Sequence, residues 1–205
     1  MIMLKPWKVV ASRDTYQDRW LKIRSDDCLT DGGCLVSPYH VLEYPDWVHV
    51  IAITPAFEVV LVRQHRHAVR QILLELPGGS MEPTDLSPLE AAARELREET
   101  GYVTDDMVTL NALHVNPATH TNNLWPVLAL GVRCVQPPEH DPIESIEVVL
   151  ADLGAFVAAV REGSQHLQAL DTASLWLALN WIERSTRPDL TKLQRKIAAS
   201  SERSR

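Results

Sequence analysis

Between Trp47 and Thr54 the chain runs Trp-Val-His-Val-Ile-Ala-Ile-Thr, an apolar, β-branched stretch broken by a histidine. A second such run spans Glu58 to Val62, and Pro55-Ala56-Phe57 between them suits a hairpin. Downstream the period changes. Leu89, Ala92, Ala93 and Leu96 recur at helical spacing and form an apolar stripe. Ser87 is a natural N-cap, Pro88 suits the first helical position, and Glu90 completes an S-x-x-E capping box. Gly101 can take the left-handed conformation that ends a helix. The pattern predicts a helix over 88–100.

The flanks carry shorter signals. Residues 7–45 read as short strands: Trp20 to Arg24 alternates loosely, Asp31-Gly32-Gly33 marks a turn, and Val36 to Tyr44 resumes strand-like composition. Val108 to Val115 reads as a strand, and so does Leu124 to Val132, where Pro126 suggests an edge or a strand start. Residues 152–162 and 171–184 have the pattern of amphipathic helices, the second carrying Trp176 and Trp181 toward a core. After Pro188 the chain turns basic and polar and is expected to fray, without a function.

With 205 residues, 45% of them hydrophobic, the chain can build one domain with a substantial core and an appended arm. Its 27 acidic against 20 basic side chains give a net charge of -7, which argues against a nucleic-acid-binding surface. An anionic substrate must then be met by a local basic cluster or by metal. Such a cluster precedes the glycine turn at Leu76-Pro77-Gly78-Gly79: Arg63, His65, Arg66, His67 and Arg70. Guanidinium groups bind phosphate through paired donors. Cys28, Cys34 and Cys134 form no C-x-x-C pair, so free thiols in a reducing cytoplasm are expected. Met1 to Trp7 lacks the apolar run of a signal peptide, and no stretch of about 18 apolar residues suits a membrane span.

The chemistry lies on the polar side of the predicted helix. Glu95, Glu98 and Glu99 are spaced i, i+3 and i+4, so their carboxylates crowd onto one face. Arg94 and Arg97 relieve part of the repulsion; a divalent cation relieves more. Mg2+ takes oxygen ligands, commonly a few carboxylates plus substrate phosphate oxygens. A bare R-E-x-x-E-E helix is more often a salt-bridged, solvated face. The flanking residues reverse those odds: Gly78-Gly79, then five residues, then Asp85 upstream, with Gly101 and Tyr102 downstream.

This stretch resembles the signature of the Nudix hydrolases, G-x5-E-x7-R-E-U-x-E-E-x-G-U, where U is a bulky hydrophobic residue. Arg94 to Tyr102 matches the second half without a gap. In the first half Asp85 stands where glutamate is expected, and eight residues rather than seven separate it from Arg94. The extra residue falls before the helix cap, so it lengthens the loop without rotating the helix face, and it leaves Asp85 without an assigned role.

The resemblance implies an α/β fold, an α/β/α sandwich with a mixed central sheet, preceded by an N-terminal antiparallel sheet. It implies an N-terminal arm over 1–46, a hydrolase domain over 47–187 and a polar tail over 188–205. Metal, Mg2+ with Mn2+ as a substitute, would be held by Glu95, Glu98, Glu99 and the Gly78 carbonyl, with Glu98 and Arg94 serving catalysis. Arg63-Gln-His-Arg66 resembles the R-Q-x-R element of ADP-ribose-type members, where the second arginine contacts substrate; Glu75 at the start of the glycine turn is a further substrate-binding candidate. Pro117, 16 residues after Gly101, has a spacing associated with ADP-ribose specificity. Glu144-Ser-Ile-Glu147-Val-Val resembles the family's E-x-I-E-V stretch, which makes Glu144 a metal ligand or general base, with Glu139 and Asp141 as nearby substitutes.

Members acting on nucleotide sugars often exchange the N-terminal sheet between subunits, so a homodimer is implied, with Trp7, Tyr16 or Trp20 available to stack on a base. Together these readings point to Mg2+-dependent hydrolysis of the pyrophosphate bond of ADP-ribose or a related nucleoside diphosphate sugar, in the cytoplasm, without nucleic-acid or membrane partners. Two alternatives share the helix: a nucleoside triphosphate sanitiser and a non-catalytic nucleotide sensor.

Overall fold

The computed structural model describes residues 4–139 and 145–202. Its strands begin with β1 (Lys8–Gln17), β2 (Lys22–Leu29) and β3 (Leu35–Glu43), followed by β4 (Trp47–Ile53), β5 (Glu58–Arg66), β6 (Gln71–Glu75) and β7 (Gly78–Ser80). Helix α1 (Pro88–Thr100) comes next, then β8 (Tyr102–Val103), β9 (Asp106–Thr109), β10 (Leu113–His114), β11 (Asn123–Leu130) and β12 (Arg133–Cys134). The chain ends with β13 (Ile146–Asp152), α2 (Leu153–Glu162), α3 (Ala169–Arg184) and α4 (Thr191–Glu202). Two compact units result: Met1–Asp46 with Leu113–Asn123, and Trp47–Ala112 with Leu124–Arg205.

In the first unit β1, β2 and β3 form an antiparallel sheet in that order. The Asp18 carboxylate closes the β1–β2 turn by accepting from the backbone N–H of Trp20 and Leu21, at 2.7 and 2.8 Å. Ser25, Asp26 and Cys28 of β2 are buried, whereas β1 is exposed along its whole length. The 113–123 segment folds onto this sheet: His120 stacks on Tyr44 with ring centroids 5.3 Å apart and bridges Leu42.

In the second unit β11 runs parallel to β4, while β4 pairs antiparallel with β5 and β7. β5 pairs antiparallel with β6 and β13, so the sheet is mixed. Strand alternation sorts its two faces. Val48, Val50, Ala52, Val60, Val127 and Ala129 meet Ala91, Ala92 and Leu96 of α1. Ile51, Ile53, Val59, Leu61 and Leu128 meet α2, α3 and α4 on the other side. The α/β/α sandwich is therefore present, with Trp176 and Trp181 packed against the second layer.

Three expectations need correction. The buried line of α1 is Ala91, Ala92, Leu96 and Thr100; Ala93 is exposed and Leu89 is 37% exposed. Ala92 and Leu96 keep their places in the stripe, while Ala91 and Thr100 replace Ala93 and Leu89. The single strand expected over 108–115 is two, β9 and β10, separated at residues 110–112. The segment from Pro188 does not fray: a 3-10 turn over Pro188–Leu190 leads into α4, with Leu190, Leu193 and Ile197 at most 5% exposed in the core. Gln194 donates to the carbonyls of Ile182 and Ser185 at the end of α3, at 2.9 and 2.8 Å, and Lys196 pairs with Asp152. Among the described residues, no helix is long and apolar enough to cross a membrane.

Candidate active site

The site is built on α1 because both helix ends are fixed by local chemistry. Ser87 accepts from the Glu90 N–H at 3.2 Å, and the Glu90 carboxylate accepts from the Leu86 N–H at 2.9 Å. Gly101 (φ 74°) closes the helix, and a Cβ there would stand 1.9 Å from the Gln136 carbonyl oxygen. Only glycine fits that position.

The glycine turn and α1 interlock. A Cβ on Gly78 would lie 2.1 Å from the Val48 carbonyl oxygen, so β7 approaches β4 closely. The Gly78 N–H donates to Glu99 Oε2 at 2.9 Å. A Cβ on Gly79 would meet Glu95 Oε1 at 2.5 Å, so the Glu95 carboxylate occupies the space a side chain would take. Two of the three glutamates thus rest on the turn.

Arg94 ties the remaining pieces together. Its Nε and Nη2 fork onto Asp85 at 3.2 and 2.9 Å, Nη2 also reaches the Ser80 carbonyl at 3.0 Å, and Nη1 donates to Glu95 at 2.9 Å and Glu98 at 3.2 Å. The Arg94 guanidinium holds the Asp85 carboxyl below its usual range. Asp85 therefore has a structural role despite the inserted residue: the longer loop returns it to Arg94.

Hard oxygen donors gather at this turn: the Glu95 and Glu99 carboxylates rest on it, and Arg94 holds Glu98 beside Glu95. Among the described residues no group of three His, Cys, Asp or Glu side chains closes into a metal cage. The arrangement is an open rim instead, with the Glu98 side chain 42% exposed. An open set of a few carboxylates, leaving room for substrate and water oxygens, fits a magnesium-like cation.

A second cluster lies across the β5–β6 hairpin. Arg66 grips Glu75 with Nε at 3.0 and 2.9 Å and Nη2 at 2.8 Å. The Glu75 carboxylate is 3% exposed and the Arg66 side chain 48%, so the carboxylate is sealed while the guanidinium still faces solvent.

The NUDIX domain family matches residues 44–149, more than half of the chain. The chain belongs to the Nudix family. A second family, the nucleoside diphosphate sugar hydrolase N-terminal domain, matches residues 7–42. Among relatives, the chain is 32% identical to a methanol dehydrogenase activator of Bacillus methanolicus over 54% of its own length and 58% of the relative's. It is 25% identical to an ADP-ribose pyrophosphatase of Bacillus subtilis strain 168, covering 71% of this chain and 80% of that one. A crystal structure of an ADP compounds hydrolase superposes with a TM-score of 0.77 at 22% identity, over 89% of this chain and 97% of the other. Nudix hydrolases generally use divalent metal ions.

The Nudix unit brings Gly78, Arg94, Glu95, Glu98 and Glu99 together, and separately joins Arg66 to Glu75. It does not bring Arg63 to Arg66: Arg63 pairs with Glu147 at 2.7 Å, both side chains largely exposed. Pro117 belongs to the other unit. Glu144 and Asp141 lie outside the described residues. Glu139 donates its backbone N–H to the Glu98 carbonyl at 2.8 Å, so the chain at Glu139 rests on the end of α1.

Sequence reasoning missed a buried polar group under β4. His49 Nδ1 lies 3.1 Å from Asp171 Oδ1 and 3.4 Å from the Ser174 hydroxyl. Burial pushes His49 down to about 4, with Arg66 adding to the effect. Burial pushes Asp171 up to about 7, and the nearby Glu75 carboxylate adds to it. His49, the Gln168 amide and the Leu76 backbone N–H surround the Asp171 carboxyl, none of them in close hydrogen-bond geometry. The one available signal was His49 itself, a polar residue inside an apolar run.

Proposed function

We propose that this Nudix protein hydrolyses the pyrophosphate bond of ADP-ribose or a related nucleoside diphosphate sugar with Mg2+, giving a nucleoside monophosphate and a sugar phosphate. The observation that carries this reading is the pairing of a full set of box glutamates with a half-exposed arginine, Arg66, clamped on a buried Glu75. The match to a nucleoside diphosphate sugar hydrolase N-terminal domain and the ADP-ribose pyrophosphatase relative support the substrate class.

Glu95, Glu98, Glu99 and the Gly78 carbonyl would hold the cation, which when bound neutralises pyrophosphate charge and acidifies a water. Arg66 uses its Nε and Nη2 edge on Glu75, so its Nη1 donors are available to a phosphate oxygen. Arg94 keeps Glu95 and Glu98 apart and oriented. A water attacks one phosphorus, the bond to the bridging oxygen breaks, and Glu98 or Glu144 accepts the proton. Arg63 and Pro117 would contribute to substrate selection.

A coupled phosphatase assay with Mg2+ over ADP-ribose, ADP-glucose, GDP-mannose and dGTP tests this. Cleavage of the nucleotide sugars is expected. Cleavage of dGTP alone would move the assignment to triphosphate sanitation, and nucleotide binding without cleavage would move it to sensing.

We also propose a homodimer built on the N-terminal sheet. Val9, Val10 and Tyr16 on β1 and Trp7 and Trp20 beside it are each 47% exposed or more, and a second copy is the occupant that would cover them. Light scattering on the full chain should give twice the single-chain mass; a single-chain mass removes the dimer. The free cysteines, Cys28 buried and Cys34 and Cys134 exposed, suit a cytoplasmic protein.

A further inference from the structure

Gln168 occupies the N-cap of α3, yet its side chain makes no cap hydrogen bond. At that position Ser, Thr, Asp and Asn are preferred because their side chains accept from the first-turn N–H groups. Gln168 points its amide inward, between two buried carboxyls: Nε2 donates to Glu75 Oε1 at 3.4 Å, and the amide also interacts with Asp171. A sequence that forgoes a local preference commonly does so at a functional position.

The contact matters because of what Glu75 holds. Glu75 is 2% exposed, and a buried carboxylate must have its charge and lone pairs met. Arg66 meets both oxygens, and the amide of Gln168 adds a second donor at Oε1, which holds the rotation of the carboxylate. Asp171, one turn further along α3, brings a second buried carboxyl beside Glu75 and Arg66. The planar guanidinium copies the orientation of the carboxylate that grips it. Turning Glu75 therefore turns the free Nη1 edge of Arg66.

We propose that Gln168 is a positioning residue for the Arg66–Glu75 substrate clamp, so that the first turn of α3 sets the direction in which Arg66 meets an anionic substrate. This rests on the proposed function for its kinetic test, but not for its binding test. Two variants separate the possibilities: Gln168→Met, which removes the donor, and Gln168→Glu, which replaces it with a charge that repels Glu75.

With ADP-ribose and Mg2+, Q168E is expected to raise KM about tenfold, the effect of one charge-assisted hydrogen bond. Q168M should raise it less, with kcat close to wild type in both and the melting temperature close to wild type in Q168M, which adds no charge beside Glu75 and Asp171. A purely structural role would lower the melting temperature and kcat together, and that result overturns the proposal. So does an unchanged KM in both variants. Calorimetry with inorganic pyrophosphate is run on the same proteins. If the wild type turns nothing over but Q168E binds pyrophosphate more weakly, the catalytic assignment fails and the positioning role stands. If pyrophosphate binding is equal or absent throughout and no turnover is seen, both fall.

Discussion

Glu98→Gln is expected to lower kcat on the preferred nucleotide sugar by roughly three orders of magnitude, a loss of about 4 kcal/mol of transition-state stabilisation. The fold should survive. The Glu98 side chain is 42% exposed and its contact within the site is the Arg94 Nη1 donor at 3.2 Å. Glutamine keeps the shape and an acceptor oxygen, and an exposed ion pair of this kind contributes only about 0.5 kcal/mol. The neighbouring glutamates are poorer probes. Glu99 holds the Gly78 N–H, and Glu95 fills the space above Gly79. Changing either would mix a rearranged turn with lost metal binding. Near-normal kcat in E98Q, with an unchanged melting temperature, would sink the assignment of this helix face to catalysis.

The same comparison explains how much of the site was legible. The box could be read because its parts are close in sequence: 13 helical residues with both caps carry Arg94, Glu95, Glu98 and Glu99. Its direction could not be read from hydrophobicity alone. Ala91 and Ala93 are equally apolar, and only the approach of Glu95 to Gly79 decides which one faces the sheet. Arg66 and Glu75 were each recognisable but not as a pair. Their backbones sit at different registers of the β5–β6 hairpin, Arg66 opposite Gln71 and Glu75 opposite Val62, so the side chains meet on a diagonal. Helix α4 was lost for another reason. Its apolar line of Leu193 and Ile197 is only two residues wide among Lys192, Arg195 and Lys196, and its burial depends on a groove made by α2 and α3. The pairing of His49 with Asp171 is a tertiary event: His49 stands out in its apolar run, but nothing near it in sequence points to Asp171.

That pairing should show itself in stability against pH, provided its two halves are separated. Asp171 titrates near 7 in the folded protein against an ordinary 3.8, so folding gains a proton-linked contribution that is fully present below the lower value and lost as pH rises through about 7. His49 titrates near 4 against an ordinary 6.5, so its contribution is present above 6.5 and lost as pH falls through about 4. Between about pH 4 and 6.5 the two slopes oppose each other, each at most about 1.4 kcal/mol per pH unit. The wild type should therefore show little net slope from this pair across that window. Asp171→Asn removes one side and keeps a neutral polar group beside His49. Urea unfolding at pH 4.5, 6 and 7.5 should then show the wild type gaining on D171N by a few kcal/mol as pH falls, the variant now carrying the acid sensitivity of His49 unopposed. Parallel profiles would mean that Asp171 is ionised in the folded protein like any exposed carboxylate. Its complete burial beside the Glu75 carboxylate argues against that state.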